Sequence, residues 1–86
     1  MSDARVIIPR IFKFTVLKRR LKRHGIYWLA RKGKGGHGSF VGADKDGEQQ
    51  AFSLPTSQHR EVRRTYLKAL CRRFDFTNQQ IKDIFE

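Results

Sequence analysis

The chain is 86 residues long with 38% hydrophobic and 12% aromatic residues and two prolines, a globular composition that excludes a disordered tail. A single cysteine, Cys71, excludes an internal disulfide and a cysteine-based zinc cluster, and no apolar run approaches the ~20 residues of a membrane span. Nineteen Lys and Arg against eight Asp and Glu leave a formal net charge of +11.

That charge is unevenly spread. Residues 1–43 hold eleven cations and one acid, and residues 44–86 hold eight cations and seven acids. Clustered cations of this kind are the electrostatic footprint of a nucleic-acid binder. Membrane-surface binding fits less well, because it needs bulky apolar residues opposite the basic face of a helix. Docking on an acidic protein is a third class that the charge allows. The start, Met1-Ser2-Asp3-Ala4-Arg5, lacks the apolar core and cleavage site of a secretory signal, so a cytoplasmic protein without membrane partners is expected.

In chain order, residues 1–13 read as an N-terminal arm, with Arg5-Val6-Ile7-Ile8 extended ahead of Pro9. Residues 14–86 read as one domain. Phe14, Leu17 and Leu21 recur at i, i+3 and i+7 and predict a helix over 14–24, with Thr15 as its cap and Gly25 as its stop. Its outer face carries Lys18, Arg19, Arg20, Lys22 and Arg23. Residues 26–30, 37–41 and 48–54 read as three strands of an antiparallel meander, joined by short connections and ended by Pro55. The Ala43–Gly47 segment is a turn, since Asp-Gly tolerates the required φ values. Tyr27 and Trp28 are candidates to stack bases, and alternation in the first strand puts one of them in the core and the other outward, with Trp28 expected inward.

A second helix is predicted over 58–74 from the apolar stripe Val62, Tyr66, Leu67, Leu70, Cys71 and Phe74, with Glu61 in its first turn. Cys71 falls on that stripe as a small core residue. Thr77 and Gln80 have capping-box spacing ahead of a short last helix with Ile81, Ile84 and Phe85 on one edge. The expected fold is therefore α+β: an α-β-β-β-α sandwich of the double-stranded-RNA-binding kind. It has a three-stranded antiparallel sheet, helices on one face, and a short C-terminal helix.

The stretch Arg31-Lys32-Gly33-Lys34-Gly35-Gly36-His37-Gly38-Ser39-Phe40 concentrates the chemistry. Glycines let a ligand approach the backbone closely. The cations attract a polyanion, and His37 is the side chain that exchanges a proton near neutral pH. The pattern points to a site that holds a phosphodiester and moves a proton on it. The plainer reading is a basic hairpin tip with an incidental histidine. It is not a nucleotide P-loop, because the Gly-Lys-Ser/Thr ending and the following helix are missing. No spacing of His, Cys, Asp or Glu reads as a metal site. His24 reads as a partner of the first helix's negative end, and His59 as a surface residue.

Gly35-Gly36-His37, Leu54-Pro55, and Glu61-Val62 followed by Tyr66-Leu67-Lys68-Ala69-Leu70 resemble the HicA family of bacterial toxin–antitoxin toxins over residues 14–86. Leu21 with Gly25-Ile26 fits the family's first helix and its terminating glycine. The resemblance implies metal-independent mRNA cleavage with His37 as the catalytic histidine and no cofactor. It also implies inhibition by a HicB-like antitoxin that masks His37. Gly36 stands where the family commonly has serine, and Thr56-Ser57-Gln58-His59 stands where many members have a histidine shortly after the proline. In that reading Arg31, Lys32, Lys34, Gly35 and Gly36 hold the phosphate, while Lys18, Arg19 and Lys22 extend the RNA-binding surface. The alternative on the same fold is a non-catalytic basic RNA-binding module. A small adaptor for an acidic protein is the third.

Overall fold

The computed structural model describes residues 7–30 and 38–86. In order these form β1 (Ile11–Lys13), α1 (Phe14–Lys22), β2 (Tyr27–Ala30), β3 (Gly38–Ala43) and β4 (Gln49–Leu54). A 3₁₀ turn (Thr56–Gln58), β5 (Glu61–Arg63), α2 (Arg64–Arg73) and α3 (Asn78–Phe85) follow. The architecture is a small α+β fold with a three-stranded antiparallel sheet and three helices. Among the described residues no helix is long and apolar enough to cross a membrane.

The sheet runs β2-β3-β4, as the alternating segments predict. Trp28 pairs with Phe40 and Phe40 with Phe52, while Gly38 lies between Ala30 and Leu54. Because successive strand residues face opposite sides, Trp28, Phe40, Phe52 and Leu54 share the face that meets the helices. There Phe40 and Leu54 join Phe14, Leu17 and Leu21 of α1, Leu67 and Leu70 of α2, and Ile84 of α3 in one core. Tyr27 and Leu29 take the other face, 49% and 57% exposed. The turn after β3 is held by Asp44, whose Oδ1 accepts from the backbone N–H of Asp46 and of Glu48, both at 2.9 Å. Those N–H groups and the Gln50 amide hold the Asp44 carboxyl below its usual range, the Glu48 bond contributing most.

α1 buries Phe14, Leu17 and Leu21 as their spacing requires, and Gly25 closes it at φ +77°. Its limits differ from expectation at both ends. The cap position is Lys13, with no side-chain cap bond, so Thr15 lies in the first turn and does not cap it. The regular helix stops at Lys22, with His24 in the turn that follows. α3 has the expected capping box: Gln80 N–H donates to Thr77 Oγ1 at 3.1 Å, and Thr77 N–H donates to Gln80 Oε1 at 2.9 Å.

The second helix is shorter than its stripe predicts and begins at Arg64, not near Gln58. Residues 61–63 are instead a strand that pairs antiparallel with β1, putting Lys13 opposite Glu61, Phe12 opposite Val62 and Ile11 opposite Arg63. Glu61 therefore belongs to a strand and not to a helical first turn. Gln58 explains the switch: it is buried, and its Oε1 accepts the Arg63 backbone N–H at 2.8 Å, a bond that ties the turn to the strand. Val62 reaches the core by this route, 1% exposed. The β1–β5 pair adds two strands to the expected α-β-β-β-α order, and residues 11–13, grouped with the arm in the sequence, supply one of them.

Candidate nucleic-acid interface

Thr15, Lys18, Arg19 and Lys22 are spaced i, i+3, i+4 and i+7, which sets them on one face of α1 beside its buried edge. The turn at Gly25 brings β2 back alongside that face. Its first two residues, Tyr27 and Trp28, complete a groove of about 550 Å³ lined by those six side chains. Three of the six are cations and none is an acid. Lys18 Nζ lies 4.8 Å from the centroid of the Phe14 ring, a cation–π contact that orients the lysine over an aromatic already fixed in the core.

The basic outer face expected of α1 is thereby divided. Lys18, Arg19 and Lys22 meet in the groove. Arg20 faces away: its Nη1 donates to the Ile84 carbonyl at 2.8 Å, and its guanidinium lies 5.8 Å from the Phe12 ring centroid. It is a tie between α1 and α3. Arg23 borders a separate hollow with Arg20, Gln79, Lys82, Asp83 and Glu86, where two acids offset two of the three cations.

The two histidines among the described residues, His24 and His59, have different surroundings. His24 Nε2 lies 2.8 Å from Asp83 Oδ2, so it bridges α1 to α3 and is held by a carboxylate on another helix, not only by its own helix end. His59, expected at the surface, is half-buried. Its ring stacks on Phe14 at 4.9 Å and 14°, and stands edge-on to Trp28 at 5.2 Å. A carbonyl oxygen only accepts, so across the 2.9 Å contact His59 Nε2 donates its N–H to Leu54 O. Leu54 pairs with Gly38, the residue that follows His37. His37 itself, with Arg31, Lys32, Lys34, Gly35 and Gly36, lies outside the described residues. Their flanks, Ala30 and Gly38, are partners in the β2–β3 register.

Trp28 is inward and Tyr27 outward, as alternation predicts. Trp28 is fixed edge-on to Phe14 at 5.0 Å and to Phe40 at 4.8 Å. Gly38 has no room for a side chain, because a Cβ there would press on the indole and come within 2.8 Å of the Leu29 carbonyl oxygen. Cys71 is buried away from the groove, and burial pushes its thiol up to about 11, so it is no nucleophile. Among the described residues no group of three His, Cys, Asp or Glu side chains is placed to hold a metal ion. Thr15 is the groove residue that sequence reasoning did not assign to binding, although its i−3 relation to Lys18 carried the signal. For the packing of His59 there was no local signal, since Phe14 and Trp28 are distant in sequence. Comparison of the chain with family models, curated proteins and solved structures finds no match.

Proposed function

We propose that the chain is an endoribonuclease toxin of a toxin–antitoxin pair, similar to the HicA family, that cleaves mRNA in the cytoplasm with His37 as general acid and base. The observation that carries this reading is the neighbourhood of the glycine–histidine stretch. It joins β2, which walls an acid-free groove of three cations, to β3, whose first residue pairs with both Ala30 and Leu54. The fold belongs to the same proposal. A three-stranded meander that shares its core with α1 and α2 on one face supports a double-stranded-RNA-binding-like sandwich, to which β1 and β5 are an addition.

RNA carries its own nucleophile. His37 takes the 2′-hydroxyl proton as the 2′-oxygen attacks phosphorus. The P–O5′ bond breaks, and the imidazolium returns a proton to the departing 5′-oxygen. Such proton transfer contributes about 10²–10⁴-fold. Arg31, Lys32 and Lys34, with the backbone N–H groups of Gly35 and Gly36, stabilise the charge that develops on the phosphorane oxygens. Lys18, Arg19 and Lys22 hold the flanking strand through phosphate contacts. Neither a metal nor a cofactor takes part in these steps. A HicB-like antitoxin that masks His37 is the proposed partner.

End-group analysis of RNA treated with the protein in excess chelator tests the mechanism. It predicts 2′,3′-cyclic phosphate and 5′-hydroxyl ends. Products with 5′-phosphate ends, formed only when divalent metal is added, overturn it.

A further inference from the structure

The α1–β2 groove combines two recognition chemistries that need different things of a nucleic acid. Its cations need only phosphates, which single strands and duplexes both offer. Tyr27 needs a flat apolar face. Tyr27 is left 49% exposed at the groove edge, on the outward side of β2, and lines the groove with Lys18, Arg19 and Lys22. Trp28, locked against Phe14, Phe40 and His59, is an immobile wall behind it. Bases in a duplex are stacked on one another and present only their edges. An unpaired base has a free π-face, and aromatic side chains in basic grooves hold such bases in sequence-tolerant fashion. Lys18 and Lys22 are one helical turn apart, about 6 Å along the α1 axis, close enough to span neighbouring phosphates of one strand. A groove of about 550 Å³ is in the range that holds a small ligand.

From this we infer that the α1–β2 groove is a single-strand subsite, in which one unpaired base stacks on Tyr27 while Lys18, Arg19 and Lys22 hold the adjoining phosphates, so that the protein selects unpaired RNA over duplex. The inference rests on the RNA-directed reading above but not on cleavage. It sets the strand state of the substrate by an aromatic on the sheet, where phosphate contacts alone would accept a duplex.

The test is fluorescence anisotropy in the His37→Ala background, so that cleavage does not interfere. The probes are a labelled, unstructured uridine decamer and a labelled RNA duplex in the same salt. The decamer is expected to bind more tightly than the duplex. Tyr27→Ala is expected to weaken decamer binding by about 5- to 150-fold, the effect of losing one stacked base, and to leave duplex binding within about twofold. Tyr27→Phe keeps the decamer affinity. Lys22→Gln weakens both probes and flattens the salt dependence by roughly 0.7 in slope for the decamer. Because Trp28 is the sole tryptophan and lines the groove, its emission is expected to change with the decamer in the Tyr27 parent. Equal losses on both probes for Tyr27→Ala, an unchanged decamer affinity, or no RNA binding at all overturn the inference. A wild-type protein that binds the decamer through Tyr27 but cuts no RNA leaves the inference standing and removes only the nuclease reading.

Discussion

Gly38 is the residue at which the packing of the fold and the position of the glycine–histidine stretch meet, and Gly38→Ala measures that connection. The added Cβ would press on Trp28 Cζ2, with Trp28 Cε2 and the Leu29 carbonyl oxygen each at 2.8 Å. Phe14, Phe40 and His59 pack against Trp28 with ring centroids 4.8–5.2 Å away, so the indole can yield only toward the groove, at the expense of those contacts. The Leu29 oxygen belongs to the strand paired with β3, so its retreat stretches the ladder. Overpacking typically costs 1–3 kcal/mol, and a clash with both a fixed ring and a backbone oxygen belongs at the upper end, about 3 kcal/mol. At 4–8 °C per kcal/mol for a domain of this size, Tm is expected to fall by roughly 12–24 °C in thermal unfolding followed by circular dichroism. Gly47→Ala is the control: nothing lies within 4 Å of its Cβ, and only the strain of φ +84° remains, about 1 kcal/mol. Trp28→Leu combined with Gly38→Ala should show a favourable coupling between the two sites, because the smaller side chain removes one of the two clashes. A Gly38→Ala protein that melts no lower than Gly47→Ala refutes the packing described around His37's neighbour.

Thr77→Ala removes one half of the α3 capping box and is expected to cost about 0.5–2 kcal/mol, while Thr77→Ser stays near wild type in urea unfolding. The Asp44 carboxyl is held below its ordinary value of 3.8, so its stabilising effect is complete above that pH and fades as pH falls through the lower folded value. The urea midpoint of wild type should therefore drop more steeply below about pH 4 than that of Asp44→Asn, whose amide oxygen still accepts in the turn. Because burial raises the Cys71 thiol to about 11, it should resist a thiol reagent at pH 8 in the folded protein and react at once in denaturant.

Local rules carried much of this fold. The spacing of Phe14, Leu17 and Leu21, the alternation that turns Trp28 inward, the Asp44–Gly47 turn and the Thr77–Gln80 cap each depend on residues within one turn or one hairpin. The β1–β5 pair was not legible, because each strand is three residues long and its partner lies about fifty residues away. Val62 misled for a physical reason: one apolar residue four positions before Tyr66 fits a helical stripe and a strand facing the core equally well. The candidate site divides in the same way. The shared face of Lys18, Arg19 and Lys22 follows from helical spacing, but the diversion of Arg20 to the Ile84 carbonyl depends on a residue 64 positions away. The packing of His59 against Phe14 and Trp28 is likewise tertiary.

The most direct measurement of the central claim is the single-turnover cleavage rate of one RNA by wild type and by His37→Ala, with the affinity of each for that RNA determined alongside. The account predicts a rate loss of about 10²-fold or more with affinity within a few-fold of wild type, since the groove cations and Tyr27 are untouched. Equal cleavage by both proteins, or a loss of rate fully explained by a loss of binding, contradicts it.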